Sequence, residues 1–238
     1  MLQNYNKYLT YASRPNFFAK LFAYMQKKLY LCARFMEQTI YIFDLGGVLI
    51  NLNVGRCMHA FEDLMGEQNM RLILGMDKNG EGVKAVSVAS KQLMADFERG
   101  TISTETFIRE VLEYCKPGTT AEQVKDAWFA MLADLPAERL AAVDAIRAQG
   151  HPVYLLSNGN DLHFEFIDQT YGLRQHFDRC FLSQEMHLAK PEKEIYEAVQ
   201  RVIDADHPGS KQVIFTDDLE INRQAAERYV GWQTKAHI

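Results

Sequence analysis

The chain has 238 residues, 47% of them hydrophobic and 24% charged, with a net charge of −5. That length allows one large domain or a core with a smaller insert, and the negative balance argues against a general nucleic-acid surface. No stretch approaches the roughly 18 to 20 apolar residues that span a bilayer, and Cys32, Cys57, Cys115 and Cys180 form no CxxC pair, so neither a zinc site nor a disulfide framework is expected and a reducing cytoplasm is the simplest home.

Residues 1–36 carry six basic and no acidic side chains, which leaves −11 on the rest of the chain. Such a basic, aromatic lead reads either as a targeting or membrane-surface arm or as sequence ahead of a start at Met36. The second reading is preferred, because MEQTIYIFDLGG places a strand directly after that methionine. Arg14, Lys20, Lys27 and Lys28 interrupt any secretory h-region.

TIYIF, residues 39–43, is a short β-branched and aromatic run with Asp44 at its carboxyl end, and Leu45-Gly46-Gly47 breaks it. A near-continuous apolar strand suits a sheet buried on both faces. Residues 52–133 read as helices only. Ser103 can cap a helix with Phe107, Ile108, Val111, Leu112 and Cys115 inward, stopped by Lys116-Pro117-Gly118. Thr120 and Gln123 fit a capping box ahead of Val124, Trp128, Met131 and Leu132.

After Pro136 helix and strand alternate. A helix with Leu140, Val143 and Ile146 ends at Gly150; strands are expected at 153–156, 179–182 and 212–215. Between them fall a helix from Asp161 and another opened by Pro191, with Ile195, Val199 and Val202 inward. A last helix carries Ala225, Ala226 and Tyr229. This pattern implies βαβ units and an α/β fold with a doubly wound, Rossmann-like parallel sheet. Residues 37–51 and 134–238 supply that core, and 52–133 form an α-helical cap inserted after the first strand.

Ligands of such sheets bind at the carboxyl ends of the strands. Those ends hold Asp44, then Ser157-Asn158, then Asp217-Asp218, while Lys190 precedes a helix. Together they suit phosphoryl transfer, which needs a nucleophile, a divalent cation, donors for phosphate oxygens and a positive charge among the carboxylates. Asp44 and Asp218 are hard oxygen ligands of the kind Mg²⁺ prefers. Ser157 and Asn158 can donate to phosphoryl oxygens, and Lys190 can pair with Asp44 and the phosphate. Each residue alone has a plainer reading as a cap, a turn or a surface charge.

FDLGGVLINLN, LLSNGNDLH, LAKPEKEIY and VIFTDDLEIN resemble the four motifs of the haloacid-dehalogenase-like hydrolases, over Thr39 to about Thr234. The arrangement is similar to the subgroup with a helical cap between the first two motifs. DLGGV with SNxNxLH resembles its small sugar-phosphate phosphatases of the alpha-glucose-1-phosphatase kind. The resemblance implies a Mg²⁺-dependent phosphatase that hydrolyses a small phosphorylated metabolite through an aspartyl phosphate. It assigns Asp44 as nucleophile and metal ligand, Asp218 as second carboxylate ligand, and the Gly46 carbonyl as a further ligand. Asp217 would support the metal through a hydrogen bond or a water. Ser157 and Asn158 would bind phosphate and Lys190 would stabilise the site. Asn160 and His163 also match the subgroup, and a capping or packing role is the plainer reading for His163.

Most phosphatases of that family carry a general-acid aspartate two residues after the nucleophile, where this chain has Gly46. Two other readings therefore stay open: a catalytically weak phosphate-binding or interaction module, and a 2-haloacid dehalogenase. For a phosphatase, a missing acid predicts a steep dependence on leaving-group basicity, since positioned acids contribute roughly 10² to 10⁴ in rate. A sugar 1-phosphate should then outrun the matching 6-phosphate in kcat. A flat leaving-group series, with chemistry rate-limiting, would instead show that some residue supplies the proton, with His163 the first to examine.

Overall fold

The structure, a computed structural model, describes Phe22, Tyr24, Met25 and residues 38–74, 81–209 and 211–238. Strand β1 (Gln38–Phe43) is followed by five helices: α1 (Val54–Met65), α2 (Glu67–Leu74), α3 (Glu81–Glu98), α4 (Thr104–Leu112) and α5 (Ala121–Phe129). Then come α6 (Ala137–Ala148), β2 (Val153–Ser157), α7 (Asp161–Tyr171), a 3₁₀ turn (Leu173–His176) and β3 (Arg179–Leu182). The chain continues with α8 (Ser183–Met186), α9 (Lys193–Asp206), β4 (Lys211–Thr216), α10 (Glu220–Val230) and β5 (Gln233–Lys235).

The five strands form one sheet in the order β3-β2-β1-β4-β5, and every neighbouring pair is parallel. Alternation along each strand divides its side chains between two faces. Ile40 and Ile42 of β1, with Tyr154 and Leu156 of β2, pack against Ile195, Tyr196, Val199 and Ile203 of α9 and Ala225 and Ala226 of α10. Phe43, Val153 and Leu155 face the other way, onto Val143 of α6 and Phe164 and Ile167 of α7. Burial on both faces explains why these strands read as unbroken apolar runs.

Helices α1–α5 have a core of their own, built from Cys57, Phe61, Met65, Met70, Phe97, Phe107, Ile108, Val111, Val124, Ala127 and Trp128. Phe97 and Phe107 stack at 4.1 Å between centroids. Both expected N-caps form: Ser103 accepts from the Thr106 N–H, and Thr120 and Gln123 make the reciprocal capping box. The connections into and out of the five helices lie side by side. Asn51 N donates to Asp134 O at 2.8 Å, Ala133 N to Asn51 O at 3.0 Å, and Asn53 N to Met131 O at 2.7 Å.

Some expectations shift. Helix α4 stops at Leu112, so Cys115 lies in a following turn, where the Tyr114 and Cys115 N–H groups reach back to Val111 and Leu112. The residue before a proline is pushed out of the helical region, and here the helix ends a turn earlier still. The helix expected to open at Pro191 starts instead at Lys193. Residues 189–192 form a turn, with Glu192 N on Ala189 O at 2.9 Å, because Asn158 holds the Lys190 backbone in place. The inward positions of α9 include the fully buried Ile203, while Val202 is only partly buried. The edge strand β5 and the short helix α8 have too few residues to announce themselves by periodicity. No helix among the described residues is long and apolar enough to cross a membrane.

Phe22, Tyr24 and Met25 are 63%, 62% and 52% exposed. A chain beginning at Met36 should therefore keep its melting temperature to within about 3 °C, equivalent to roughly 1 kcal/mol at this size. A larger fall in a calorimetric scan would mean that the lead segment packs on the core.

Candidate active site

The switch point of the sheet lies between β1 and β4, where the chain reverses direction of winding. β1 delivers Asp44 there, and the Asp44 N–H closes the ladder onto Thr216 O at 2.8 Å. β4 delivers Asp217 and Asp218. Carboxylate oxygens of the three aspartates lie within 4.8 Å of one another.

Such crowding needs a counter-charge, and Lys190 provides it. Its ammonium, buried with the rest of the side chain, lies 2.9 Å from Asp44 Oδ1 and donates to Asp217 Oδ2 at 2.6 Å and Leu156 O at 3.0 Å. Three acceptors match its three hydrogens. Lys190 thus serves the carboxylates in this arrangement, and the phosphate contact expected of it would have to displace one of these bonds. Asn158 fixes the lysine in turn. Its Oδ1 accepts from Lys190 N at 2.9 Å and its Nδ2 donates to Lys190 O at 2.8 Å. The Asn158 side chain is spent on this clip, so the phosphate contact expected of this residue could come only from its backbone N–H. Ser157, also buried, donates Oγ to Asn158 O across a long 3.3 Å.

The two adjacent aspartates divide the work. Asp217 is fully buried, and both its oxygens are engaged, by Lys190, by the Leu219 N–H at 2.9 Å and by Asn222 Nδ2 at 3.0 and 3.1 Å. Asp218 is exposed. Arg223 braces the strand end by donating to the carbonyls of both aspartates, at 2.7 and 2.8 Å. Asn222 and Arg223 escape a reading of the sequence alone, although their place in the first turn of α10, right after the aspartate pair, is a usable signal. Asp218 closes on the loop after Asp44 because Gly47 has no side chain. An added Cβ there would sit 2.4 Å from Asp218 Oδ2, and the backbone has φ +74°.

Burial pushes the Asp44 carboxyl up to about 6; Lys190 pulls it down, and the Asp217 charge pushes it further up. Both hydrogen-bonding partners of its side chain, the Leu45 N–H at 2.7 Å and Lys190, meet Oδ1, which leaves Oδ2 for chemistry. A divalent cation would relieve the remaining repulsion, and an all-oxygen donor set of this kind suits Mg²⁺. Gly46 lines a neighbouring cavity of about 170 Å³ together with Ser157, Asn158, Trp128 and His163.

His163 is a packing residue. Its ring stacks on Trp128 at 5.2 Å, and Nε2 faces the Trp128 carbonyl at 3.0 Å, which places the proton on Nε2. Burial holds its pKa down at about 4, so near neutrality it is a neutral imidazole and a poor acid. Asn160 caps α7 by accepting from His163 N at 3.0 Å and also receives the Trp128 indole N–H.

The family model for haloacid dehalogenase-like hydrolases matches residues 39–228. The chain belongs to this family. Among curated proteins the hydrolase is similar to the D-ribitol-5-phosphate phosphatase of Bacteroides thetaiotaomicron, 26% identical over 81% of this chain and 88% of that one. The pyrimidine 5'-nucleotidase YjjG of Escherichia coli is 24% identical over 68% of this chain and 72% of its own. A crystal structure of a haloacid dehalogenase-family enzyme from Bacteroides thetaiotaomicron, in complex with magnesium and inorganic phosphate, superposes with a TM-score of 0.66 at 30% identity, covering 84% of this chain and 93% of that one. Structures of that enzyme hold magnesium, and in this chain the Asp44, Asp217 and Asp218 carboxylates are grouped closely enough to hold a metal ion.

The unequal settings of Asp217 and Asp218 predict unequal losses. Asp218→Ala should leave the metal-free melting temperature nearly unchanged but abolish the stabilisation by Mg²⁺, about 2.7 kcal/mol at one hundred times the dissociation constant. Asp217→Ala should cost about 3 to 5 kcal/mol without any metal, because it strands part of a buried ion pair. Thermal denaturation of both variants with and without Mg²⁺ checks the contrast, and equal metal-free losses would contradict it.

Proposed function

We propose that this hydrolase is a Mg²⁺-dependent phosphatase acting on a small phosphate monoester, with a sugar or sugar-alcohol phosphate the favoured class, through an aspartyl-phosphate intermediate. The observation that carries this reading is the Asp44–Lys190–Asp217 ion cluster with Asp218 alongside. It holds a carboxylate in place, offers hard ligands for one cation, and supplies no thiol, serine–histidine pair or redox group. Asp44 attacks phosphorus, the alcohol departs, and water then hydrolyses the acyl phosphate. Magnesium, when bound, supplies charge neutralisation at the phosphoryl oxygens. Lys190 keeps Asp44 ionised and oriented. Ser157 Oγ and the Asn158 backbone N–H are the donors for phosphoryl oxygens.

Helices α1–α5 are read as the cap, which lies over the cavity and supplies the contacts that choose the alcohol. The names of the curated relatives, a polyol-phosphate phosphatase and a nucleotidase, support a phosphorylated small metabolite as substrate. The match to a phosphatase over 81% of this chain weighs against a binding-only module.

Asp44→Asn tests the reading. The amide keeps the side-chain shape but is a poor nucleophile and a poor ligand for a hard cation. Phosphate release from p-nitrophenyl phosphate with Mg²⁺ should fall far below a tenth of wild type while the far-ultraviolet spectrum is unchanged. A folded variant keeping more than about a tenth of kcat, a barrier change below roughly 1.4 kcal/mol, would remove Asp44 as nucleophile.

A further inference from the structure

Gly46 places no side chain where the leaving group departs, and His163 is a neutral imidazole whose Nε2–H is held by the Trp128 carbonyl. The cavity beside Asp44 nevertheless contains a carboxylic acid. Glu98, the last residue of α3, lines it together with Gly46, Ser157, Asn158 and Gln184. Ser157 and Asn158 mark the phosphate end, so the remainder of the cavity is the space open to the alcohol portion of a substrate.

An unpartnered buried group points to a ligand in that space. Gln184 is 6% exposed, and its Oε1 is a buried polar atom with no hydrogen-bond partner among the described residues. An orphaned buried acceptor costs about 1 to 3 kcal/mol and calls for a donor that arrives later. Burial also lifts the Glu98 carboxyl above its usual range, against a smaller pull from Arg99.

The end of α3 is fastened at this spot. Ser183 Oγ donates to the Glu98 carbonyl, and the Arg99 carbonyl meets His187 Nδ1 at 2.8 Å. The Arg99 guanidinium forms a two-pronged ion pair with Glu192, one prong at 2.7 Å. Gly100, at φ +63°, lies so close to the Gln184 backbone that an added Cβ would stand 2.3 Å from its carbonyl oxygen. Every one of these contacts joins the end of α3, or the two residues after it, to the 183–192 segment that carries Lys190. Glu98 is therefore held in fixed relation to the ion cluster although it comes from a different helical layer.

Resting on the phosphatase reading, we propose that Glu98 is the catalytic acid for the leaving alcohol and that Gln184 Oε1 accepts a hydroxyl of that same alcohol, so that the substrate is a hydroxylated primary-alkyl phosphate. As the Asp44–phosphorus bond forms and the phosphorus–oxygen ester bond breaks, the Glu98 carboxyl hydrogen passes to the departing oxygen and leaves a carboxylate. That carboxylate takes a proton from the water that attacks the aspartyl phosphate, which releases inorganic phosphate and restores the acid. Glu98 thus replaces the steep leaving-group dependence expected from Gly46 alone with a shallow one.

The test compares p-nitrophenyl phosphate, whose leaving group needs no proton, with glycerol 1-phosphate, whose leaving group does. For Glu98→Gln, kcat should fall at least 100-fold on glycerol 1-phosphate and less than tenfold on p-nitrophenyl phosphate. Glu98→Asp, which keeps the acid on a shorter arm, should recover part of the glycerol 1-phosphate turnover. Gln184→Leu should raise KM for glycerol 1-phosphate severalfold, with little change in kcat and none in KM for p-nitrophenyl phosphate. Equal losses on both substrates in Glu98→Gln, or a Glu98→Asp variant no better than it, would overturn the assignment while leaving the phosphatase reading intact. A wild-type protein inert toward both substrates with Mg²⁺ would overturn both.

Discussion

Everything at the active end of this sheet depends on one buried cation. Three carboxylates within 4.8 Å of each other cannot share a low-dielectric site unless something offsets their repulsion. The Lys190 ammonium does so with ion pairs to Asp44 and Asp217 and a hydrogen bond to the end of β2. It thereby ties together three strands and the loop before α9. One positive charge against three negative ones leaves the cluster short of neutrality, and the deficit matches a divalent ion. Burial, with a smaller push from Asp217 and against the pull of Lys190, keeps the Asp44 carboxyl raised to about 6.

Much of this is legible in the sequence because the strands are buried on both faces. Their apolar runs end abruptly, and the polar residue at the end of each run has a chemical reason to be there. Asp44, Ser157 and Asp217 stand out on that basis alone. The helices after Pro136 and the caps at Ser103 and Thr120 are equally plain, since periodicity and capping chemistry are local. The hidden part is long-range. The side chain of Asn158 looks like a phosphate donor until Lys190, 32 residues away, is found to occupy both of its polar atoms. The start of α9 looks set by Pro191, but the turn before it is shaped by that clasp. Glu98 carries no local mark at all: nothing in the periodicity of α3 tells which of its polar residues reaches a cavity built mostly by other elements.

Helices α1–α5 have a separate hydrophobic core, yet they are fastened to the rest of the chain at several places. One is the ladder of residues 51–53 with 131–134. Another is the Arg99–Glu192 ion pair and its neighbours around Ser183 and His187. A further one is Trp128, which stacks on His163 and hydrogen-bonds to Asn160 and His163. Glu98, Trp128, Asn160, His163 and Gln184 all line the cavity, so these contacts are concentrated around it.

The glycine at position 47 gives the site an unusual mutational profile. The polar side chains supply the charges and donors of the site, and their replacement removes a functional group directly. A methyl group on Gly47 instead takes up the space of the Asp218 carboxylate itself, and Asp218, being at the surface, can swing outward to make room. The backbone, at φ +74°, would be strained as well, and Asp218 would leave its place beside Asp44 and Asp217. Loss of catalysis in this lineage therefore lies one nucleotide change away, at a position that contributes no functional group, and a sequence survey confined to the acidic and basic residues would score such a protein as intact.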